Sequence, residues 1–214
     1  MNPINTKKII LASKSPRRRQ LLEQIGINIE ICPSNINESH ILLKNPEQYV
    51  EELARQKAEN IASLYPEEWV IGADTIVVVD DKILGKPESK PDAIKMLNQL
   101  NNREHFVYTG FCLCNTNSKR IKSTGQSNIY QANIYQAIVK TVKTKVYFKN
   151  LSDNEINFYV NTKEPFDKAG GYGIQGIGSF IVKKISGSYT NVVGLPVCEL
   201  VEELKNLNLI RIRD

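Results

Sequence analysis

The run Leu11-Ala12-Ser13-Lys14-Ser15-Pro16-Arg17-Arg18-Arg19-Gln20-Leu21-Leu22 constrains the fold of this chain more than any other stretch. Just before it, Lys8, Ile9, Ile10 and Leu11 read as a short buried strand. Ser15 is a good N-cap, and Pro16 suits the first helical position, where a missing N–H costs nothing. Leu21, Leu22 and Ile25 supply an apolar helical face, and Gly26 is a natural stop. The stretch therefore predicts a strand, a tight turn and a helix. Its arginines crowd the first helical turn, where the positive end of the helix dipole disfavours cations. The placement makes sense if an anion is the third party, because free N–H groups, serine hydroxyls and arginine forks would converge on it. A surface helix with a basic face is the plain alternative. The anion site is favoured because the cap, the serines and the arginines occur together.

The remaining chain limits what that anion can be. With 214 residues, the protein can bury a proper core as one domain or as two lobes. The formal net charge is +5, without a long Lys/Arg run, so an acidic small substrate explains it as well as nucleic acid would. The N-terminus lacks an apolar secretory segment, and no apolar run is long enough to span a bilayer. A cytoplasmic protein without a membrane partner is the expectation. Cys32, Cys112, Cys114 and Cys198, with His40 and His105, show no metal-binding spacing, and the thiols are expected to be buried and free.

Strands and helices alternate along the sequence. Asn28 to Cys32 reads as a second strand ended by Pro33. Asn45-Pro46 opens a helix in which Val50, Leu53, Ala54, Ala58, Ile61 and Leu64 recur at helical spacing. Lys57 falls close to that apolar stripe, so it either snorkels to water or points into a cleft. Trp69 to Val79 is apolar on both faces, as a central strand is. Asp80-Asp81 turns the chain back through Lys82 to Leu84, a helix starts near Pro91, and Phe106 to Cys114 is another strand. Asn115 to Ile138 reads as a polar insertion carrying an echo, Asn128-Ile129-Tyr130-Gln131-Ala132 followed by Asn133-Ile134-Tyr135-Gln136-Ala137. Val139 to Phe148 alternates as a strand, Ser152 and Glu155 form a capping box, and Pro196 opens a final helix.

Two features inside this frame point to chemistry. Asp74 interrupts the central strand, and a carboxylate there is costly unless it is paired, binds metal or opens onto a site. Gly72 and Ala73 before it would let a ligand or a backbone approach closely. Gly171, Gly173 and Gly176 match G-x-G-x-x-G, but a dinucleotide fingerprint needs a strand before and a helix after. Here a Glu-Pro/Asp-Lys loop precedes and Ser179 to Ile185 reads as a strand, so the glycines belong to a tight loop near a ligand. Gln175 sits in that loop, and its amide can donate and accept at once, as reading a base edge requires. Gly85-Lys86-Pro87 is not a Walker A loop. Ser186 to Gly194 reads as a turn-rich loop.

In this order, the chain resembles the Maf family. The resemblance rests on Leu11 to Arg18, Gly72-Ala73-Asp74-Thr75, Gly85-Lys86-Pro87, Tyr172-Gly173-Ile174-Gln175-Gly176 and Gly187 to Pro196, and it covers nearly the whole chain. It implies an α/β, ITPase-like (Maf/Ham1) fold over residues 1–214 as a single domain, with a mixed twisted sheet, flanking helices and two lobes around a central cleft. It also implies hydrolysis of nucleoside triphosphates to monophosphate and pyrophosphate with a divalent cation, Mg²⁺ or Mn²⁺, often in a homodimer. Carried over residue by residue, the resemblance makes Asp74 the proton acceptor and a possible metal ligand. It assigns phosphate binding to Ser13, Arg17 and Arg18, and the two cleft lysines to Lys57, as a substrate-binding residue, and Lys86, as a catalytic residue with Asp74. It matches Glu38 to the acidic residue of the first loop and the specificity positions to Arg17, Thr75 and Gln175. The Tyr-Gly-Ile-Gln-Gly form is similar to the dTTP/UTP branch.

That chemistry agrees with the residues. Attack at the α-phosphorus needs an activated water and neutralised phosphate charge; Asp74 supplies the first, and Arg17, Arg18, Lys57, Lys86 and the helix N-terminus supply the second. The alternatives are a pyrophosphatase for methylated GTP and a non-enzymatic cell-division regulator or nucleic-acid-binding protein. Against the last stands the absence of a basic strand interleaved with aromatics.

Overall fold

The structure, a computed structural model, describes residues 4–38, 45–116 and 135–211. The elements in chain order are β1 (Ile4–Asn5), β2 (Ile9–Leu11), α1 (Pro16–Gln24), β3 (Glu30–Ile31), α2 (Pro46–Ala62), β4 (Trp69–Val79), β5 (Lys82–Leu84), α3 (Lys90–Leu100), β6 (Glu104–Thr116), β7 (Tyr135–Phe148), α4 (Asp153–Asn161), β8 (Val182–Ser186), α5 (Tyr189–Val193), α6 (Val197–Asn206) and β9 (Ile210–Arg211). Three 3-10 turns, Glu164–Asp167, Ala169–Gly171 and Gly176–Phe180, lie between α4 and β8.

Local signals account for most of these boundaries. Ser15 caps α1 by accepting from Arg18 N, with Pro16 in the first turn, and Gly26 follows the helix at φ 77°. Asn45 caps α2, and Ser152 and Glu155 complete the capping box of α4. Each such cap is worth about 1 kcal/mol.

Among the described residues the main sheet has seven strands in the order β3-β2-β4-β6-β7-β8, with β5 paired to the end of β4. β2 runs parallel to β3 and β4, and all other pairs in it are antiparallel. The fold is therefore α/β with a mixed sheet and flanking helices, as expected. On one face, Leu21 and Leu22 of α1 and Leu200 and Leu204 of α6 pack over Ile71, Ala73, Phe111 and Leu113. Farther along that face, α3, α4 and the 3-10 segment close over Val77, Val79, Val107 and Phe148. On the other face α2 buries Ala54, Ala58 and Ile61 against Val70, Cys112 and Cys114.

α1 and α2 thus leave β2 and β3 toward opposite faces, and β2 lies between β3 and β4. Such a topological switch point opens a crevice at the carboxyl end of its strands. The register shows how the crevice forms. β2 leaves β4 at the pair Leu11–Ile71, and β5 joins β4 only at the pair Val77–Leu84. Between those pairs β4 has a strand neighbour, β6, on one side only.

Several expectations are corrected. Ser179 and Phe180 belong to a 3-10 turn, and the strand begins at Val182, because glycines at 176 and 178 let the chain coil first. The segment 186–194 is not all loop: Ser188 caps the short helix α5 by accepting from Asn191 N. Asn115–Thr116 and Tyr135–Ile138 are not insertion but the ends of β6 and β7, whose pairing runs on to Thr116–Tyr135. The rest of that insertion, the first copy of the echo and His40 lie outside the described residues. Cys112 and Cys114 are buried and free, whereas Cys32 is half-buried and Cys198 is exposed on α6. Among the described residues, no helix is long and apolar enough to cross a membrane.

Candidate active site

The gap beside β4 is the floor of a cleft of about 600 Å³. Ser13, Arg17, Arg18, Glu38, Lys57, Asp74, Thr75, Lys86 and Gln175 all line it. Residues that lie far apart in sequence are brought together because β2 stops early and α2 lies flat on the sheet. The flatness has a cause in two glycines. A Cβ on Gly72 would lie 2.2 Å from Ala54 O, and one on Gly110 would lie 2.5 Å from Val50 O. Only glycine permits the α2 backbone so close. Lys57, one residue before Ala58, then reaches the even-numbered face of β4, where Asp74 sits.

Lys57 Nζ donates to Asp74 Oδ1 at 2.7 Å and lies 2.9 Å from Glu38 Oε1. The Lys57 and Asp74 side chains are each 13% exposed. Lys57 therefore points into the cleft rather than snorkelling to water. Burial raises the Asp74 carboxyl above the usual aspartate range, with Lys57 and Arg18 opposing it. The Tyr49 hydroxyl, also on the cleft, is raised by burial and by the negative charge of Asp74 and Glu38.

The two neighbouring arginines of α1 have different surroundings. Arg18 turns inward. Its Nε donates to Gly194 O at 2.7 Å, its Nη1 to Ala73 O at 2.8 Å and to Ser13 Oγ at 3.3 Å, and its Nη2 to Thr75 Oγ1 at 3.0 Å. It thereby satisfies a carbonyl on the open edge of β4, and burial lowers its pKa. Thr75 continues this network, lying 2.9 Å from Thr109 Oγ1 on the face opposite Asp74. Arg17 faces outward and donates from Nη1 to Asp167 Oδ2 at 2.8 Å.

Asp167 and Lys168 line the cleft as well, and the sequence reading did not single them out. Lys168 Nζ donates to Asp167 Oδ1 at 2.7 Å and to Glu164 O at 2.6 Å. Burial acts to raise the Asp167 carboxyl, but hydrogen bonds from Lys168 and Arg17 outweigh it and hold the group below the usual range. The Glu-Pro/Asp-Lys loop before the glycines was the available signal, since adjacent opposite charges in a glycine-rich loop need partners across it. Lys14 and exposed Lys86 add cationic charge to the cleft wall. Gln175 also lines the cleft, immediately before the turn Gly176–Phe180.

Among the described residues, no group of three or more His, Cys, Asp or Glu side chains forms a metal cage. Asp74 and Glu38 converge on one cationic point, the Lys57 ammonium. Two carboxylate oxygens suit a hard divalent cation that takes its other ligands from water and substrate phosphates. His105 takes no part in the cleft floor: its Nε2 lies 2.7 Å from the Tyr172 hydroxyl in the buried core.

The sequence as a whole is similar to known proteins. The sequence matches the family described as "Maf: Maf-like protein" over residues 8–207. A protein of Carboxydothermus hydrogenoformans named dTTP/UTP pyrophosphatase is 47% identical over 198 residues, covering 92% of this chain and 97% of that protein. Proteins of the same name from Geobacillus sp. (strain WCH70) and Syntrophus aciditrophicus (strain SB) are 46% and 43% identical. The first covers 94% of this chain and 98% of its own length, the second 94% and 91%. A solved structure of the Staphylococcus aureus Ham1 protein matches at a TM-score of 0.47 and 16% identity, covering 94% of this chain and 100% of that one. The family match and the relatives both extend over nearly the whole sequence that builds the cleft: the chain belongs to the Maf family.

Proposed function

We propose that this protein is a nucleoside triphosphate pyrophosphatase that hydrolyses dTTP and UTP to the monophosphate and pyrophosphate. The observation that carries the reading is Asp74: a raised carboxylate at the floor of a cationic cleft, held by an ammonium 2.7 Å away. The name dTTP/UTP pyrophosphatase, borne by relatives up to 47% identical over nearly the full chain, supports the same substrate class.

In this mechanism Asp74 accepts the proton of the water that attacks the α-phosphorus. Its raised pKa improves it as a base, while Lys57 keeps it ionised and oriented. Arg17, Lys14 and Lys86, with Ser13 and the N-terminal turn of α1, meet the charge of the phosphates. Arg18 is committed to Ala73, Gly194, Ser13 and Thr75, so its main role is to hold the phosphate-side wall together. Gln175 reads the base, and its amide complements the carbonyl and N–H edge that thymine and uracil share. A divalent cation, Mg²⁺ or Mn²⁺, would be held by Asp74 and Glu38, where it would offset phosphate charge and lower the pKa of a coordinated water.

The test is pyrophosphate release from a panel of nucleoside triphosphates with Mg²⁺, Mn²⁺ or chelator. Release from dTTP and UTP, with little from purine nucleotides and none with chelator, is expected. Release from purine nucleotides alone would overturn the specificity, and no release from any nucleotide would overturn the enzymatic reading.

A further inference from the structure

The loop that carries Gln175 is held from behind by residues that do not touch the cleft. Glu164 Oε2 accepts from Ile177 N at 3.0 Å, and Oε1 accepts from Gly178 N at 3.1 Å. The same Oε1 accepts from the Tyr159 hydroxyl at 3.1 Å, and that hydroxyl in turn accepts from Gly173 N at 3.0 Å. One carboxylate and one phenol therefore grip both ends of the segment that presents Gln175. Neither Glu164 nor Tyr159 is among the residues that line the cleft.

The glycines of this segment are fitted to the grip. Gly176 has φ +68°, and a Cβ there would lie 2.8 Å from Glu164 Oε2. A Cβ on Gly178 would lie 2.4 Å from Gly173 O and 2.7 Å from the Tyr159 hydroxyl. The glycines let the backbone close on the carboxylate, but they also make the loop costly to order. The Gln175 side chain makes no capping hydrogen bond to the turn it precedes, so its position depends on the backbone that bears it. Charge-assisted acceptance of two adjacent backbone N–H groups is a strong restraint on that loop. Tyr159 is fully buried on α4, packed with Tyr172 and Ile181, which makes the anchor part of the core.

We infer that Glu164, seconded by Tyr159, is a positioning residue for base selection, acting by fixing the backbone on either side of Gln175. The inference rests on the reading of Gln175 as the base-reading group. It gives the Glu-Pro/Asp-Lys loop a division of labour: Glu164 steadies the base side, and Asp167 faces Arg17 on the phosphate side.

The test compares wild-type protein with Glu164→Gln, Tyr159→Phe, Gln175→Ala and the double variant Glu164→Gln/Gln175→Ala in the full chain. kcat and KM are measured for dTTP, UTP, dCTP and dATP, and amide hydrogen exchange is followed over residues 173–178. In Glu164→Gln an amide N–H₂ replaces one acceptor, so one loop N–H loses its partner. The expected result is a fall of about 10- to 100-fold in kcat/KM for dTTP and UTP, the scale of an ångström-level misplacement. The loss is smaller for dCTP and dATP, so discrimination narrows as it does in Gln175→Ala. The double variant narrows it no further, because both changes remove one interaction. Exchange in the loop quickens, and Tyr159→Phe, which keeps the ring in the core, shifts both readouts in the same direction. If Glu164→Gln lowers all four nucleotides equally, or leaves discrimination and loop exchange unchanged while Gln175→Ala narrows it, the positioning role is overturned and the reading of Gln175 stands. If Gln175→Ala leaves discrimination intact, the base-reading assignment itself falls, and this inference with it.

Discussion

The Lys57 ammonium lies 2.7 Å from Asp74 Oδ1, on a strand edge left open where β2 has ended and β5 has not begun. The pair joins a helix to a sheet across the floor of the cleft. Its partial burial makes each charge depend on the other.

Asp74→Asn keeps the shape and a carbonyl oxygen for Lys57 but removes the base. Turnover is expected to fall by about 10²- to 10⁴-fold, the usual worth of a positioned general base. Glu38 still balances Lys57, so the melting temperature should move by only a few degrees, roughly 1 kcal/mol. Pyrophosphate release together with thermal unfolding checks both; near-wild-type turnover would remove Asp74 from its role.

Lys57→Met should shift the pH dependence. Burial raises the Asp74 pKa and Lys57 opposes that rise, so losing the ammonium lifts the pKa further. A higher pKa leaves less carboxylate at a given pH. The acid limb of kcat/KM against pH should therefore move to higher pH in the variant. An unmoved limb would mean that another group governs it.

Arg17→Ala and Arg18→Ala should separate. Among the described residues Arg17 binds only the exposed Asp167, so its loss should change stability by about 0.5 kcal/mol or less and appear as a raised KM. Arg18 satisfies Ala73 O and Gly194 O, and its loss should cost about 3 kcal/mol in urea unfolding. Arg18→Lys should not restore it, since a point charge does not replace the planar fork.

His105 makes the fold acid-sensitive. Burial, then the charge of Arg103, lowers its pKa to about 3. A histidine held neutral in the fold contributes stability above its ordinary pKa near 6.5, and that contribution is lost as the pH falls toward about 3. The expected loss is about 1.4 kcal/mol for each pH unit below about 6.5. His105→Gln, which keeps a partner for the Tyr172 hydroxyl, should flatten the stability profile over pH 4–6.5 in denaturant titrations.

Much of this molecule was legible residue by residue. Ser15-Pro16, Asn45-Pro46 and the Ser152/Glu155 box act within one helical turn, so their effect is local and readable. Asp74 stood out because a carboxylate in an apolar strand demands an explanation, and Lys57 because it fell near an apolar stripe. The 3-10 turn at Gly176 and the short helix α5 were less legible, because glycine-rich runs carry little propensity and take their shape from the partners they meet. The same holds for Glu164, whose partners lie on a segment more than a dozen residues away in some cases.

The sequence by itself determined most of the strands and helices, the caps, the candidate residues and the family resemblance, because these depend on short spacings and residue types. Only the tertiary structure decided which arginine meets Asp167 and which one braces the wall, that Lys57 meets Asp74, and what holds the backbone beside Gln175. Those outcomes depend on where one strand loses its neighbour and how closely α2 approaches Gly72 and Gly110. Both are set by contacts between distant segments, on which local pattern is silent.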